Sequence, residues 1–347
     1  MIGSALEKLG WGAWQEMALR ALPVTGDDVP ARIVRQEAMG FRVDTGIEVL
    51  HARSSGRLKH SAAQAADLPV VGDWVLISKP TAASAEDAAV HRVLPRRGGL
   101  ARVRPGTHGE AQLMAANVDL ALIVWSWDRD PDLRLIERAV VLARGGGVQP
   151  VVVLTKSDLR VSWRTRGDEI RARLYTVPVL NVSVMNDEGV DAVASVIEPG
   201  RTAAMIGPSG AGKSSLLNGL LGAPAMKVGD VRHDDRKGRH TTTHRELFWL
   251  PHGGLLIDGP GIRELGLFGD RDAIERSFSD VASLAKQCAY GSCRHAGEAG
   301  CAVIAAVRDG ALAEQRLADY RALLSEAGSR RSRVTRRDMA RRRSGLR

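Results

Sequence analysis

Short segments in which apolar and polar residues partly alternate fill the first hundred positions, and longer apolar runs interleaved with amphipathic stretches follow. Ala31–Gln36, Phe41–Asp44, Ile47–Ala52, Asp73–Ser78 and Ala89–Leu94 approach a period of two, as half-buried strands do. Gly40, Gly46, Gly56, Gly72 and the loose PTAASAED stretch punctuate them. Five short strands so spaced predict a small OB-like β-barrel, a module that could bind oligonucleotide on one face or serve only for packing. Pro95-Arg96-Arg97-Gly98-Gly99 through Arg104-Pro105-Gly106 reads as a basic exit loop, with a domain boundary near Gly109.

From Asn117 the pattern changes to buried strands alternating with helices. VDLALIVW is a candidate central strand, and Asp130-Pro131 is expected to cap a helix over Asp132–Arg144, stopped by Gly145-Gly146-Gly147. The strand VVVLTKSD, a helix over Gly167–Leu174, a strand over Val177–Val182 and a helix over Gly189–Ile197 follow. This alternation predicts a doubly wound parallel sheet, whose ligands bind at the carboxyl ends of its strands. Farther on, Asp272–Lys286 and Gly310–Ala327 read as helices, the second with Ala313, Leu317, Tyr320, Leu324 and Ala327 on one face.

Chemistry enters at Ala203–Asn218, AAMIGPSGAGKSSLLN. Gly207, Gly212, Lys213 and Ser214 fit G-x-x-x-x-G-K-[ST], the strand Ala203–Ile206 precedes them, and a helix over Ser214–Leu221 ends at Gly222. The loop Gly207, Pro208, Ser209, Gly210, Ala211, Gly212, Lys213, Ser214 and Ser215 would wrap a phosphate with its backbone N–H groups, Pro208 alone having none, and with the helix dipole aimed at the same anion. Lys213 would reach the β and γ oxygens and Ser214 would hold Mg²⁺. In the turn Thr155-Lys156-Ser157-Asp158, the Asp158 carboxylate can accept from guanine's N1–H and exocyclic amine together; alone, the same tetrapeptide could be a helix N-cap. Asp258-Gly259-Pro260-Gly261 places a carboxylate at the Mg²⁺ position and offers the Gly261 N–H to the γ-phosphate, or is a simple Pro-Gly turn. Between them, Gly238-Arg239-His240-Thr241-Thr242-Thr243 could supply a metal-bound hydroxyl, with Thr242 the candidate.

Cys288, Cys293, His295 and Cys301, spaced C-x4-C-x-H-x5-C, are three thiolates and one imidazole, a complete tetrahedral set for structural Zn²⁺. All 3 cysteines fall in this window, which favours metal over disulfides. With 347 residues, 44% apolar and 26% charged, the chain can build two or three domains, and disorder throughout is excluded. No run approaches a membrane span and MIGSALEKLGWG does not read as a signal peptide, so a cytoplasmic protein is expected. The net charge of +9 is concentrated: Arg330–Arg347 holds nine arginines and one acid, Asp338, a tail that either lies along nucleic-acid phosphate or merely solubilises.

The order of the pieces is itself informative: the base-reading turn precedes the phosphate loop, which precedes the threonine loop and then DGPG. This resembles the circularly permuted GTPases, and with barrel ahead and cysteines behind the chain is similar to the RsgA/YjeQ family of ribosome-small-subunit-dependent GTPases. LGW near the start, VGDW at Val71–Trp74, AANVD at Ala115–Asp119, GPSGAGKSSLLN, RHTTT and the cysteine cluster carry the resemblance. Thr155 stands where that family commonly has Asn, Val182-Ser183-Val184 is a loose form of its last base-contacting motif, with Ser183 the candidate contact, and Gly259 replaces Ser or Thr. The resemblance implies hydrolysis of GTP to GDP with Mg²⁺, one Zn²⁺, stimulation by the small ribosomal subunit and its rRNA, and a role in late maturation of that subunit. A monomer with three units is expected: barrel 1–109, GTPase 110–268, and zinc-binding helical domain with basic tail 269–347. Ile262 occupies the position where many GTPases carry a water-orienting glutamine, so His240 is the candidate for that work, or contacts RNA instead. Two other readings remain open at this stage: an RNA-binding scaffold whose nucleotide is only structural, and a P-loop kinase of small molecules.

Overall fold

A computed structural model of the chain describes residues 2–22, 28–62, 65–79, 87–103, 111–159, 163–174, 176–223, 245–258, 271–325 and 327. Two short helices that the strand-period reading did not foresee come first, α1 (Ile2–Glu7) and α2 (Ala13–Arg20). Leu6, Leu9, Trp11 and Ala18 pack on Trp74 and Leu76, so these helices cover the outside of the barrel. The barrel itself is β1 (Asp28–Glu37), β2 (Gly40–Asp44), β3 (Val49–Ser54), α3 (Gly56–Ser61), β4 (Trp74–Ser78) and β5 (Ala88–Val93). Each expected strand is present within a few residues. The order β1-β2-β3-β5-β4 closes by pairing β4 with β1, the five-stranded OB arrangement. Alternate residues Ala31 and Ile33, Val75 and Ile77, Ala88 and Val90 fill the interior, which is what a period of two requires.

A hairpin then joins barrel to sheet: β6 (Gly99–Val103) pairs antiparallel with β7 (Ala111–Ala116). The stretch expected to be a basic exit loop therefore contains a strand. Few apolar residues mark it, and its backbone is recruited by distant partners, with Gly99 N–H donating to Gly146 O at 2.9 Å and Asn117 N–H to Gly98 O at 2.7 Å. The expected boundary at Gly109 lies outside the described residues.

The central sheet is built from β8 (Leu120–Ser126), α4 (Leu133–Gly145), β9 (Gln149–Thr155), α5 (Trp163–Arg173), β10 (Val179–Asn181), α6 (Val190–Val196), β11 (Thr202–Ile206), α7 (Lys213–Leu221), β12 (Leu247–Trp249) and β13 (Leu255–Ile257). Its order is β10-β9-β8-β11-β13-β12, parallel except for the edge strand β12. Strand β8 alternates between two cores: Leu120, Leu122 and Val124 meet α6 and α7, while Ala121, Ile123 and Trp125 meet the layer containing α4. Helix α4 is capped by Asp132, whose carboxylate accepts from Arg134 N–H at 3.1 Å and Leu135 N–H at 3.2 Å. Asp132 is thus the cap, not Asp130-Pro131, because a side chain can reach those amides only from the residue just outside the helix.

The C-terminal unit comprises α8 (Arg271–Ser277), α9 (Ser279–Ala285), α10 (Ala302–Arg308) and α11 (residues 314–325). A single helix over Asp272–Lys286 was expected, but the chain breaks at Phe278, with φ −119° and ψ 46°. Phe278 is fully buried, packs on Tyr320 with centroids 5.6 Å apart, and carries the Arg316 guanidinium over its ring at 4.0 Å. Burying that ring outweighs continuing one helix. Of the face expected on the last helix, Leu317, Tyr320 and Ala327 are buried, whereas Ala313 is exposed. Among the described residues no helix is long and apolar enough to cross a membrane.

Candidate functional site

Strands leave β8 in both directions of the sheet, β9 to one side and β11 to the other, so their carboxyl ends open a crevice between diverging connections. The loop after β11 occupies it. Gly210 and Gly212 take φ of 77° and 85°, and a Cβ on Gly212 would sit 3.0 Å from Thr155 Oγ1, so both backbone angle and space call for glycine there. Gly207, Pro208, Ser209 and Ala211 complete the loop, and Lys213, Ser214 and Ser215 form the first turn of α7, whose dipole faces the loop. Lys213 folds back over it, its Nζ donating to Gly207 O at 2.8 Å and Pro208 O at 3.0 Å. Burial pushes the Lys213 ammonium below its ordinary pKa, and the charge of Asp258 opposes that shift. An anion in the loop would relieve the same strain on the charge more directly.

The turn after β9 is tied to this loop by side chains. Thr155, 2% exposed, donates its hydroxyl to Ala211 O at 2.6 Å. Lys156, with φ of 57°, donates to Gly210 O at 3.0 Å and to Asp128 Oδ2 at 2.6 Å. Asp158 Oδ1 accepts from Ser183 Oγ at 2.6 Å, and Ser183 in turn accepts from Asn186 N–H at 3.2 Å. Sequence positions 25 apart are thus one element of the site. Asp258 follows β13, next to β11, with its N–H donating to Glu246 O at 3.1 Å. Its carboxylate and the Ser214 hydroxyl are hard oxygen donors of the kind Mg²⁺ takes, so the residues present fit that ion. His240, Thr242, Gly261 and the tail Arg330–Arg347 lie outside the described residues.

Asp128 belongs to the site although no motif marks it. It sits in the turn after β8, where Ser126 Oγ donates to its Oδ1 at 2.5 Å and Lys156 holds Oδ2. Burial works against the charge, yet the hydrogen bonds from Lys156 and Ser126 keep this carboxyl below the usual range. The one signal available in sequence was its place at the carboxyl end of the central strand.

The cysteine cluster lies in the C-terminal unit. The ligand atoms of Cys288, Cys293, His295 and Cys301 all fall within 4.8 Å of one another. Cys288 Sγ and Cys301 Sγ are 3.6 and 3.5 Å from His295 Nδ1, and 3.9 Å apart. A tetrahedron with metal–sulfur bonds near 2.3 Å has sulfur–sulfur edges of about 3.8 Å and sulfur–nitrogen edges of about 3.6 Å, so this donor set fits a tetrahedral ion.

A family model described as RsgA GTPase matches residues 93–268. The small ribosomal subunit biogenesis GTPase RsgA of Opitutus terrae is 42% identical over 333 residues, covering 92% of this chain and 89% of its own. Its counterpart in Methanosarcina acetivorans is 40% identical over 318 residues, covering 91% and 84%. The chain belongs to the RsgA GTPase family. Among solved structures, YjeQ from Thermotoga maritima superposes with a TM-score of 0.61 at 22% identity, over 86% of this chain and 98% of its own. YloQ, a circularly permuted GTPase, gives 0.60 at 23% identity over 89% and 99%. These two likenesses bear on fold: barrel, permuted GTPase sheet and helical C-terminus recur together. Membership of the RsgA GTPases makes the chain a GTP hydrolase, and the crevice at β8, β9 and β11 is where its motifs converge.

Proposed function

We propose that this GTPase hydrolyses GTP to GDP and phosphate in the service of small ribosomal subunit biogenesis, is stimulated by that subunit, and acts late in its maturation. The observation that carries the reading is the convergence of Asp158–Ser183, Lys156–Gly210 and Thr155–Ala211 on one phosphate loop, in a chain whose relatives are small-subunit biogenesis GTPases. Asp158 and Ser183 would face guanine, with Lys156 along the base and Thr155 acting through the loop it ties. Residues Gly207 to Ser215 would cradle the phosphates and Lys213 would leave its loop carbonyls for the β and γ oxygens. Ser214, Asp258 and Thr242 would hold Mg²⁺, which supplies neutralisation of charge between those phosphates. Gly261 N–H would meet the γ-phosphate and His240 would align the attacking water. Cys288, Cys293, His295 and Cys301 would hold one Zn²⁺ as a closed structural site.

In this reading the units 1–109, 110–268 and 269–347 form barrel, GTPase and zinc domain of a cytoplasmic monomer. Barrel, zinc domain and basic tail face rRNA. The decisive assay compares GTP turnover with and without isolated small subunits, alongside metal analysis of the purified chain. Slow intrinsic turnover that rises with subunits, and one zinc per chain, are the expected results. Turnover unchanged by subunits would leave a nucleotide-binding RNA scaffold as the better account.

A further inference from the structure

The end of the sheet opposite the phosphate loop holds a cavity. About 620 Å³ in volume, it opens where the barrel, the N-terminal helices and the amino ends of β8 and β11 meet. This is the size of a small-ligand site. Trp11, Trp14 and Gln15 line one wall, Asn117 to Asp119 and Pro199 to Thr202 the other, and Arg32 and Trp74 come from the barrel.

Three features of the lining point to one kind of ligand. Arg32 is 1% exposed, and its bonds go to uncharged acceptors: Leu9 O, Gly72 O at 3.3 Å, Asn117 O at 3.4 Å and Thr202 Oγ1 at 2.8 Å. Among the described residues none of these partners is a carboxylate. Two acids act on it through charge alone, Asp119, which accepts from Thr202 N–H at 2.8 Å, and Asp73, which Arg96 holds at 2.7 Å, while exposed Glu7 also lines the cavity. Burial lowers the guanidinium to about 10 although the charges of Asp119 and Asp73 partly offset it, so it remains a cation at neutral pH, and a further anion in contact would lessen its cost. Secondly, Trp74 is 1% exposed and its indole N–H has no acceptor among the described residues, a buried donor without a bond. Thirdly, half-buried Trp14 and the cations Arg97, exposed, and Arg201 belong to the same lining. Indole faces beside guanidinium groups are how proteins hold single unpaired nucleotides, base on the ring and phosphate on the cation.

We propose that this cavity takes one unpaired nucleotide of RNA, its base against Trp14 and its phosphate between Arg97 and the buried charge of Arg32. The site rests on the RNA-facing role proposed above, and the source of the nucleotide is a strand of RNA rather than a free monophosphate. Because barrel and sheet both supply its walls, an occupied cavity would also brace the joint between them.

The test uses the full chain and its Trp14→Ala, Trp14→Phe and Arg97→Glu variants, none of which touches the phosphate loop. Fluorescence anisotropy with a short unstructured oligouridylate is measured beside binding to small subunits, and GTP turnover without subunits controls for folding. Trp14→Ala and Arg97→Glu are expected to weaken the oligonucleotide by roughly tenfold, the scale of one stacked base, while Trp14→Phe stays near wild type and basal turnover is unchanged. Oligonucleotide and subunit binding equal to wild type in both weakened variants would overturn the site and leave the GTPase reading standing. Free uridine monophosphate competing as well as the oligonucleotide, with subunit affinity untouched by the substitutions, would overturn RNA as the source. A wild-type chain that binds neither RNA nor subunits would remove this site together with the RNA-facing role.

Discussion

A buried hydroxyl needs an acceptor, and Thr155 takes Ala211 O, so the first residue of the base-reading turn is spent on the phosphate loop rather than turned outward. Lys156 makes the second tie, to Gly210 O, and Asp128 holds that ammonium from the other side. The pair is partly exposed, 34% for Lys156 and 29% for Asp128, which limits it to roughly 1 kcal/mol at most. Asp128→Ala is therefore expected to raise KM for GTP by about fivefold while kcat stays within about twofold, since the phosphate loop itself is untouched. Steady-state kinetics decide it, and a fall in kcat with KM unchanged would contradict a positioning role. Because Asp128 is held below the usual carboxylate range, its contribution is complete above the ordinary carboxylate pKa and is lost only as pH falls through the depressed one. The variant and wild type should therefore differ by the same factor across neutral pH.

Helices from the GTPase sheet and the C-terminal unit are locked by one buried ionic cluster. Glu137 of α4, 3% exposed, receives Arg173 of α5 through two bonds of 2.9 Å and Arg316 of α11 at 2.7 Å. Arg316 also grips Asp280 of α9 at 2.9 and 3.1 Å, and Arg173 reaches Asp319 of α11. Removing Arg316 takes the ion pair from Asp280 and leaves Glu137 with Arg173 alone, so Arg316→Ala should cost about 3 kcal/mol in the stability of the C-terminal unit, the lower end for breaking a buried pair. Urea unfolding followed by a probe in that unit reads the loss, and a change under about 1 kcal/mol would mean that the cluster relaxes around the gap. The cysteine–histidine cluster lies in the same unit but shares none of these residues, so zinc binding, as proposed for it, should survive the substitution.

At the scale of the whole molecule, the barrel is bonded to the stretch that leads out of the threonine loop. Gln36 N–H donates to Arg245 O at 3.0 Å, Arg245 Nη1 returns a bond to Gln36 Oε1 at 3.0 Å, and Arg35 bridges Glu246 both by backbone and by an ion pair of 3.7 Å. Glu246 O in turn accepts from Asp258 N–H. If the barrel faces rRNA as proposed, it has a short bonded route to Asp258, the proposed Mg²⁺ ligand. Arg245→Ala is expected to keep GTP affinity and basal turnover but to lose about fivefold or more of the stimulation by small subunits, the lower end of ordinary coupling energies. Equal stimulation in wild type and variant would show that the signal enters elsewhere.

Barrel strands, sheet strands, the glycine-lysine loop and the cysteine–histidine cluster were legible along the chain because each depends on neighbours in sequence: periods of two, a glycine-lysine spacing, a cysteine-histidine spacing. Asp158 and Ser183 were each visible as candidates, but their bond was not, since it joins separate turns. Helices α1 and α2, strand β6, the break at Phe278, the grip of Asp128 on Lys156 and the burial of Arg32 were decided only in three dimensions. Each of these depends on partners remote in sequence: Trp74 beneath the N-terminal helices, Gly146 beside Gly99, Tyr320 and Arg316 around Phe278, Thr202 against Arg32. Local spacing carries information about backbone period and ligand order, whereas a buried charge or a broken helix is stable only when the far side of the core supplies its contacts.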